Sequence, residues 1–182
     1  MNWIYKRYGS KKGMLLTYYH RTTNYINGNN YDLINWDEIE RLVFVCKGNI
    51  CRSPFAEIVA RSLNLESFSC GVDTVEDSPA NKDAVITAKE LGYDLSGHRT
   101  RPIMYCDLYK TDLLIAMEPW HAQLVMENAN LNYKVTLLGI WGTPGIPYIH
   151  DPFGTNKDYF KNCFQYIENT IHEISGKLKT KS

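Results

Sequence analysis

Cys46 and Arg52, six places apart, are the residues of this sequence best suited to chemistry. A thiolate is a strong nucleophile, and a guanidinium offers a planar fork that grips two oxygens of one phosphate. Between them lie Lys47, Gly48, Asn49, Ile50 and Cys51. Gly48 and Asn49 tolerate unusual backbone angles, so successive N–H groups can turn to one side and form a nest for an anion. The segment is therefore expected to hold phosphate oxygens on residues 47–52, with Cys46 at the base. A helix N-terminus and a nearby cation favour the thiolate, so no histidine base is needed. Ser53 follows at once; its hydroxyl can hydrogen-bond the sulfur and help it leave when a phosphocysteine is hydrolysed.

A leaving alkoxide or phenoxide needs a proton, because tyrosine titrates near ~10. Asp151, in Tyr148-Ile149-His150-Asp151-Pro152-Phe153, is the candidate general acid. Pro152 biases it toward extended backbone and so fixes the carboxyl's direction. The same carboxylate can then take a proton from the attacking water. His150 is read as a neighbour. Each signal alone has a plainer explanation: a strand-end cysteine is commonly an inert packed thiol, an arginine a surface cation, Asp-Pro a turn. The loop does not match the Gly-x-x-x-x-Gly-Lys nucleotide pattern or the Gly-x-Gly-x-x-Gly dinucleotide turn.

The surrounding elements give the loop its meaning. Leu42-Val43-Phe44-Val45 reads as a strand buried on both faces, and Ser53-Pro54 as the start of a helix whose face is Phe55, Ile58, Val59 and Leu63. Further strands are expected at 68–72, 113–117 and 135–138. Helices are expected at 83–91, closed by Gly92, and from Pro119, with Trp120, Leu124 and Val125 inward. A last helix carries the stripe Phe160, Cys163, Phe164, Ile167, Ile171 and Ile174. Residues 141–148 read as a Gly- and Pro-rich loop. Alternating strands and helices imply a parallel sheet covered on both faces, with its chemistry along the strands' C-terminal edge.

Residues 1–40 stand apart as an N-terminal arm ahead of a domain at 41–182. The first 30 residues hold five Lys or Arg and no acid, and Asn27-Gly28-Asn29-Asn30 reads as a turn. A small helical element packed on the body is the favoured reading of the arm. The chain has 182 residues and zero formal net charge, which suits one domain and gives no global field to recruit nucleic acid. No apolar run approaches the ~20 residues that span a bilayer, and no signal-peptide core follows the basic start, so a cytoplasmic protein is expected. Five cysteines without an export signal indicate free thiols; Cys46 and Cys51 are loosely spaced for zinc, and no Cys or His pair elsewhere supplies the other ligands at familiar spacing.

The segment from Val43 to Pro54 resembles the signature loop of the low-molecular-weight protein tyrosine phosphatases. The resemblance extends through Ser69-Cys70-Gly71, Leu95-Ser96-Gly97-His98-Arg99, Asp112 to Glu118, and Asp151-Pro152-Phe153. It implies a four-stranded parallel sheet flanked by helices, of the flavodoxin-like, phosphotyrosine phosphatase I-like kind, with the arm as an extension. It implies Cys46 as nucleophile, Arg52 as phosphate clamp and Asp151 as general acid. Asn49, Ser53 and His98 would brace the loop, and no metal or organic cofactor is implied. In the family, Cys51 can form a reversible disulfide with Cys46 that protects the thiolate. Ile50 is similar to tyrosine-specific members, whereas arginine-phosphate-specific relatives carry Thr there. The absence of a cysteine between Gly71 and Tyr105 counts against an arsenate reductase. Leu138-Gly139-Ile140-Trp141 is similar to bacterial members working beside autophosphorylating tyrosine kinases, which implies such a kinase as the phosphotyrosine-containing partner. An arginine phosphatase, an arsenate reductase and a phosphate-binding module without turnover are the alternatives. Lys47 departs from the family's usual apolar residue, Phe153-Gly154 stands where many eukaryotic members have two tyrosines, and 73–77 is acidic without a pocket aromatic.

Overall fold

The computed structural model describes residues 2–27, 31–128 and 133–179. The expected turn at Asn27 to Asn30 lies largely outside them. Along the chain come α1 (Asn2–Tyr8), α2 (Lys11–Asn27), β1 (Arg41–Cys46), α3 (Arg52–Ser62), β2 (Ser67–Gly71), α4 (Lys82–Glu90), β3 (Asp112–Ala116), α5 (Pro119–Asn128), β4 (Lys134–Leu137) and α6 (Lys157–Lys179). The four strands form one sheet in the order β2-β1-β3-β4, every pairing parallel.

Burial on both faces explains the unbroken apolar runs of β1 and β3. Leu42, Phe44 and Cys46, with Leu113, Ile115 and Met117, face a core built with α3, α4 and α6. Val43 and Val45, with Leu114 and Ala116, face the other way, toward Val125 and Ala122 of α5. Phe55 and Phe164 stack at 4.0 Å between centroids, which fixes α3 against α6. The whole expected stripe of α6 is buried.

Strand order reverses between β1 and β3, the place where open parallel sheets leave a crevice beyond their strand ends. The loop after β1 and the residues after β3 meet there. Three expectations shift. Trp120 is not inward on α5: it is 37% exposed, and fully buried His121 and Ala122 take the inner face with Val125. Helix α3 begins at Arg52, so Pro54 is its third residue; a first-turn proline forfeits only an N–H that has no helical partner. The second strand covers 67–71, leaving Val72 outside.

Helices α1 and α2 lie against the start of α6 and the segment before Asp151. Asn156 Nδ2 donates to Tyr5 O at 3.1 Å and Asn162 Nδ2 to Lys6 O at 2.9 Å. A Cβ on Gly13 would come within 2.6 Å of the His150 ring, so the close approach of α2 requires glycine there. Among the described residues no helix is long and apolar enough to cross a membrane.

Candidate active site

Cys46 ends β1 at the crevice, and the chain wraps from it into the first turn of α3. The Cys46 Sγ lies 3.0 Å from Ser53 Oγ and accepts the Asn49 N–H at 3.2 Å. Among the described residues, no acceptor takes the amides of residues 48, 50, 51 and 52. Unpaired amides around a sulfur, at the positive end of an 11-residue helix, are what an oxyanion cradle requires.

Asn49 sets the loop's shape. It is fully buried with φ +51°, the left-handed region that a short amide side chain tolerates. Its Nδ2 donates to Ser53 Oγ at 3.0 Å and Ser69 Oγ at 2.8 Å, and its Oδ1 accepts the Arg101 N–H at 2.9 Å. Ser69 in turn donates to Glu57 Oε2 at 2.7 Å. The His98 ring donates from Nε2 to the Asn49 carbonyl at 2.7 Å, and burial lowers the titration of this histidine, so it serves as a neutral donor. Thr74 Oγ1 donates to Gly48 O at 2.8 Å. Gly48 is not in the left-handed region, and a Cβ there would meet nothing nearer than 3.5 Å. Asn49 alone carries the unusual angle that the sequence suggested for both residues. Asn49→Ala removes three hydrogen bonds and puts alanine in a left-handed position. Roughly 2–4 kcal/mol of stability is expected to go, measured by urea denaturation, with Asn49→Gly recovering only about 1 kcal/mol.

Arg52 is 1% exposed, an unusual place for a guanidinium. Its Nη1 donates to a carboxylate oxygen of Glu118 and, at 2.7 Å, to Ile149 O; its Nη2 pairs with Asp151 Oδ2 at 3.0 Å. Burial works against its charge, but Asp151 and Glu118 outweigh burial and hold its titration above the ordinary value. Nε is buried with no hydrogen-bond partner among the described residues. A phosphate oxygen at that edge would satisfy it, which fits a clamp better than a structural ion pair. Asp151 stands at the mouth with its side chain 38% exposed, and its Oδ1 accepts the Phe153 N–H at 3.2 Å.

The remaining expected residues fall around this centre. Ile50 packs at the edge of the core. Lys47 Nζ is 3.7 Å from Asp73 Oδ2, both side chains exposed, so the acidic 73–77 loop matches the extra charge at the mouth. Cys51 is a buried free thiol, held above the ordinary thiol range by burial first and then by Asp151 and Cys46. Among the described residues no group of three or more His, Cys, Asp or Glu could hold a metal ion.

The sequence reading missed three supports. Glu118 is the buried counter-ion of Arg52; its place just past the end of β3, at the strand-order reversal, was the available signal. Ser69 and Glu57 extend the brace of Asn49. Ser10, on the arm, contacts His150 Nε2 through its Oγ at 3.1 Å, while Tyr148 OH contacts His150 Nδ1 at 2.8 Å and Tyr159 OH donates to His150 O at 3.1 Å. His150 is thereby fixed from three sides, one residue before Asp151.

His121 lies 4.0 Å from Glu118 Oε1 but is not an ion pair, because burial, with Arg52 and Lys47, pushes its titration down to about 2. The unfolded chain takes up a proton near the ordinary 6.5 and the folded chain does not. That stability is complete above pH 6.5 and falls as acid is added, since protons favour the unfolded state. Burial lowers His20, His98 and His150 as well, with the same sign. Urea midpoints are expected to drop between pH 7 and pH 5, His121 alone contributing about 2 kcal/mol, and His121→Leu is expected to flatten the slope.

A parallel sheet whose central strand delivers a cysteine into an amide nest, closed by a buried arginine, defines a cysteine-dependent phosphatase class of fold and site. A family model described as low molecular weight phosphotyrosine protein phosphatase matches residues 41–182. The chain belongs to that family. Low molecular weight protein-tyrosine-phosphatase Etp of Escherichia coli (strain K12) is 31% identical over 140 residues, covering 75% of this chain and 93% of the relative. Protein-arginine-phosphatase of Bacillus subtilis (strain 168) is 30% identical over 145 residues, covering 76% and 96%. Among solved structures, the tyrosine phosphatase Wzb from Escherichia coli K30 in complex with sulphate superimposes with a TM-score of 0.70 at 29% identity, covering 77% of this chain and 99% of that one.

Proposed function

We propose that this enzyme hydrolyses phosphotyrosine in proteins through a cysteinyl-phosphate intermediate. Cys46 attacks phosphorus, Arg52 and the amides of 47–52 hold the non-bridging oxygens, and Asp151 protonates the departing phenol. In the second step Asp151 takes a proton from water, which attacks the phosphocysteine, while Ser53 stabilises the departing sulfur. The observation that carries this reading is the Cys46 sulfur among unpaired amides, beside a buried Arg52 whose Nε lacks a partner. Residues 41–182 are the proposed catalytic unit and 1–40 an arm upon it.

Acid quench within the first turnovers, followed by mass spectrometry of the digest, is expected to find one phosphate on the peptide containing Cys46. Phosphate on another residue, or none, would overturn the mechanism. Because a relative of similar identity is a protein-arginine-phosphatase, phosphotyrosine, phosphoarginine and arsenate belong in one assay. Ile50 favours phosphotyrosine. The resemblance of 138–141 supports an autophosphorylated bacterial tyrosine kinase as the cytoplasmic substrate. Cys51, buried in the same loop, is the proposed redox partner of Cys46: a Cys46 sulfenic acid formed by peroxide would lose water to the Cys51 thiol and leave a disulfide.

A further inference from the structure

Beside the Asp151 segment lies a second, half-enclosed cleft of about 480 Å³, formed between the N-terminal helices and the body. That volume falls in the range of small-molecule sites. Arg7 and Arg21 line its arm side with Tyr8 and Tyr18; Tyr148 and His150 line its body side. Neither arginine forms an ion pair among the described residues, and residues 1–30 contain no acid to neutralise them. The Arg7 guanidinium lies 5.7 Å from the Tyr8 ring centroid, and the Tyr8 and Tyr18 rings are 6.1 Å apart. Guanidinium groups beside aromatic faces recognise an anion carried on a flat, apolar body.

The body wall of this cleft is the stretch that leads into Asp151. Ile149 O accepts from Arg52 and Ile149 N donates to Met117 O at 3.0 Å. His150 is held by Ser10 of the arm, and the His20 ring stacks on Tyr148 at 5.0 Å. A ligand bridging Arg7 or Arg21 to Tyr148 would therefore touch the arm and the support of Asp151 together. We propose that the arm–body cleft is an effector site for a small aromatic anion, and that its occupancy is transmitted through Tyr148 and His150 to the position of Asp151. The binding half is independent of the phosphatase reading; the consequence for turnover rests on it.

The probe is anilinonaphthalene sulfonate, a flat apolar anion whose fluorescence reports an apolar surround, used with the full chain. Saturable one-to-one binding is expected, weakened at least about tenfold in Arg7→Gln/Arg21→Gln, whose exposed side chains leave basal activity unchanged. Bound dye is expected to slow amide exchange in peptides covering 148–153 in the wild type and not in the double variant. It is also expected to change turnover of aryl phosphates with poor leaving groups more than those with good ones. Equal dye affinity in the two proteins, or no saturable binding, overturns the site. Arginine-dependent binding that leaves exchange at 148–153 unaltered overturns the transmission. A chain that binds dye as expected yet never forms phosphocysteine removes the phosphatase mechanism and leaves the cleft standing.

Discussion

Cys46→Ser is expected to lower turnover of phosphotyrosine by at least about 10⁴-fold while leaving phosphate binding within a few-fold of wild type. The two halves have different causes. A serine hydroxyl in this loop has no base beside it: Ser53 Oγ and the Asn49 N–H are the groups that contact Sγ, and neither removes a proton at neutral pH. The proposed cradle is built from amides and the Arg52 side chain, and of these the Asn49 N–H alone bonds the substituted atom among the described residues, where a serine Oγ can still accept it. Titrating inorganic phosphate into the variant by calorimetry, beside single-turnover kinetics, measures both. Turnover surviving in the variant would remove Cys46 from the nucleophile role. Phosphate binding in both proteins, with no turnover even in the wild type, would favour a phosphate-binding module.

Why the loop was legible and its supports were not follows from sequence separation. The strand, the cradle residues and α3 occupy one continuous stretch, so local propensity and spacing carry their geometry. The α6 stripe was legible for the same reason. The support of Arg52 comes from Glu118, 66 positions away, and the support of His150 comes from Ser10, 140 positions away. Periodicity marks a strand's end but not which neighbouring strand's end it faces; that needs the sheet order. The error on α5 has a different origin. Hydrophobicity placed Trp120 inside, but the indole N–H reaches Glu118 Oε2 at 3.0 Å from a partly exposed position, and His121 is buried as a neutral ring. A histidine looks polar in a sequence and becomes a core residue once its proton is excluded. Gly48 and Asn49 looked equally able to take the left-handed angle, and the side-chain bonds to Ser53 and Ser69 decide for Asn49.

The second large effect concerns Asp151, whose geometry suits two roles that kinetics can separate. Its Oδ2 pairs with Arg52 Nη2 at 3.0 Å, so it could act only by holding the clamp. It also stands partly exposed at the mouth, where a departing phenol must pass, as a general acid requires. A clamp-holding role predicts weaker phosphate binding and one uniform loss for every leaving group, because in the proposed mechanism Arg52 serves the phosphoryl oxygens whatever is attached. General-acid catalysis predicts a graded loss. Phosphotyrosine, whose phenol titrates near ~10, is expected to lose roughly 10²–10⁴-fold in kcat with Asp151→Asn, while a nitrophenyl phosphate loses far less. Asparagine keeps an oxygen for Arg52, so KM is expected to change little. Because Glu118 and Ile149 O also hold Arg52 from its Nη1 side, removing the Asp151 charge leaves the guanidinium in place. A flat response across leaving groups would assign Asp151 to the clamp and require another proton donor. With both nitrogens of His150 engaged by Ser10 and Tyr148, that neighbour is poorly placed to be the donor, so a graded response is the outcome the geometry favours.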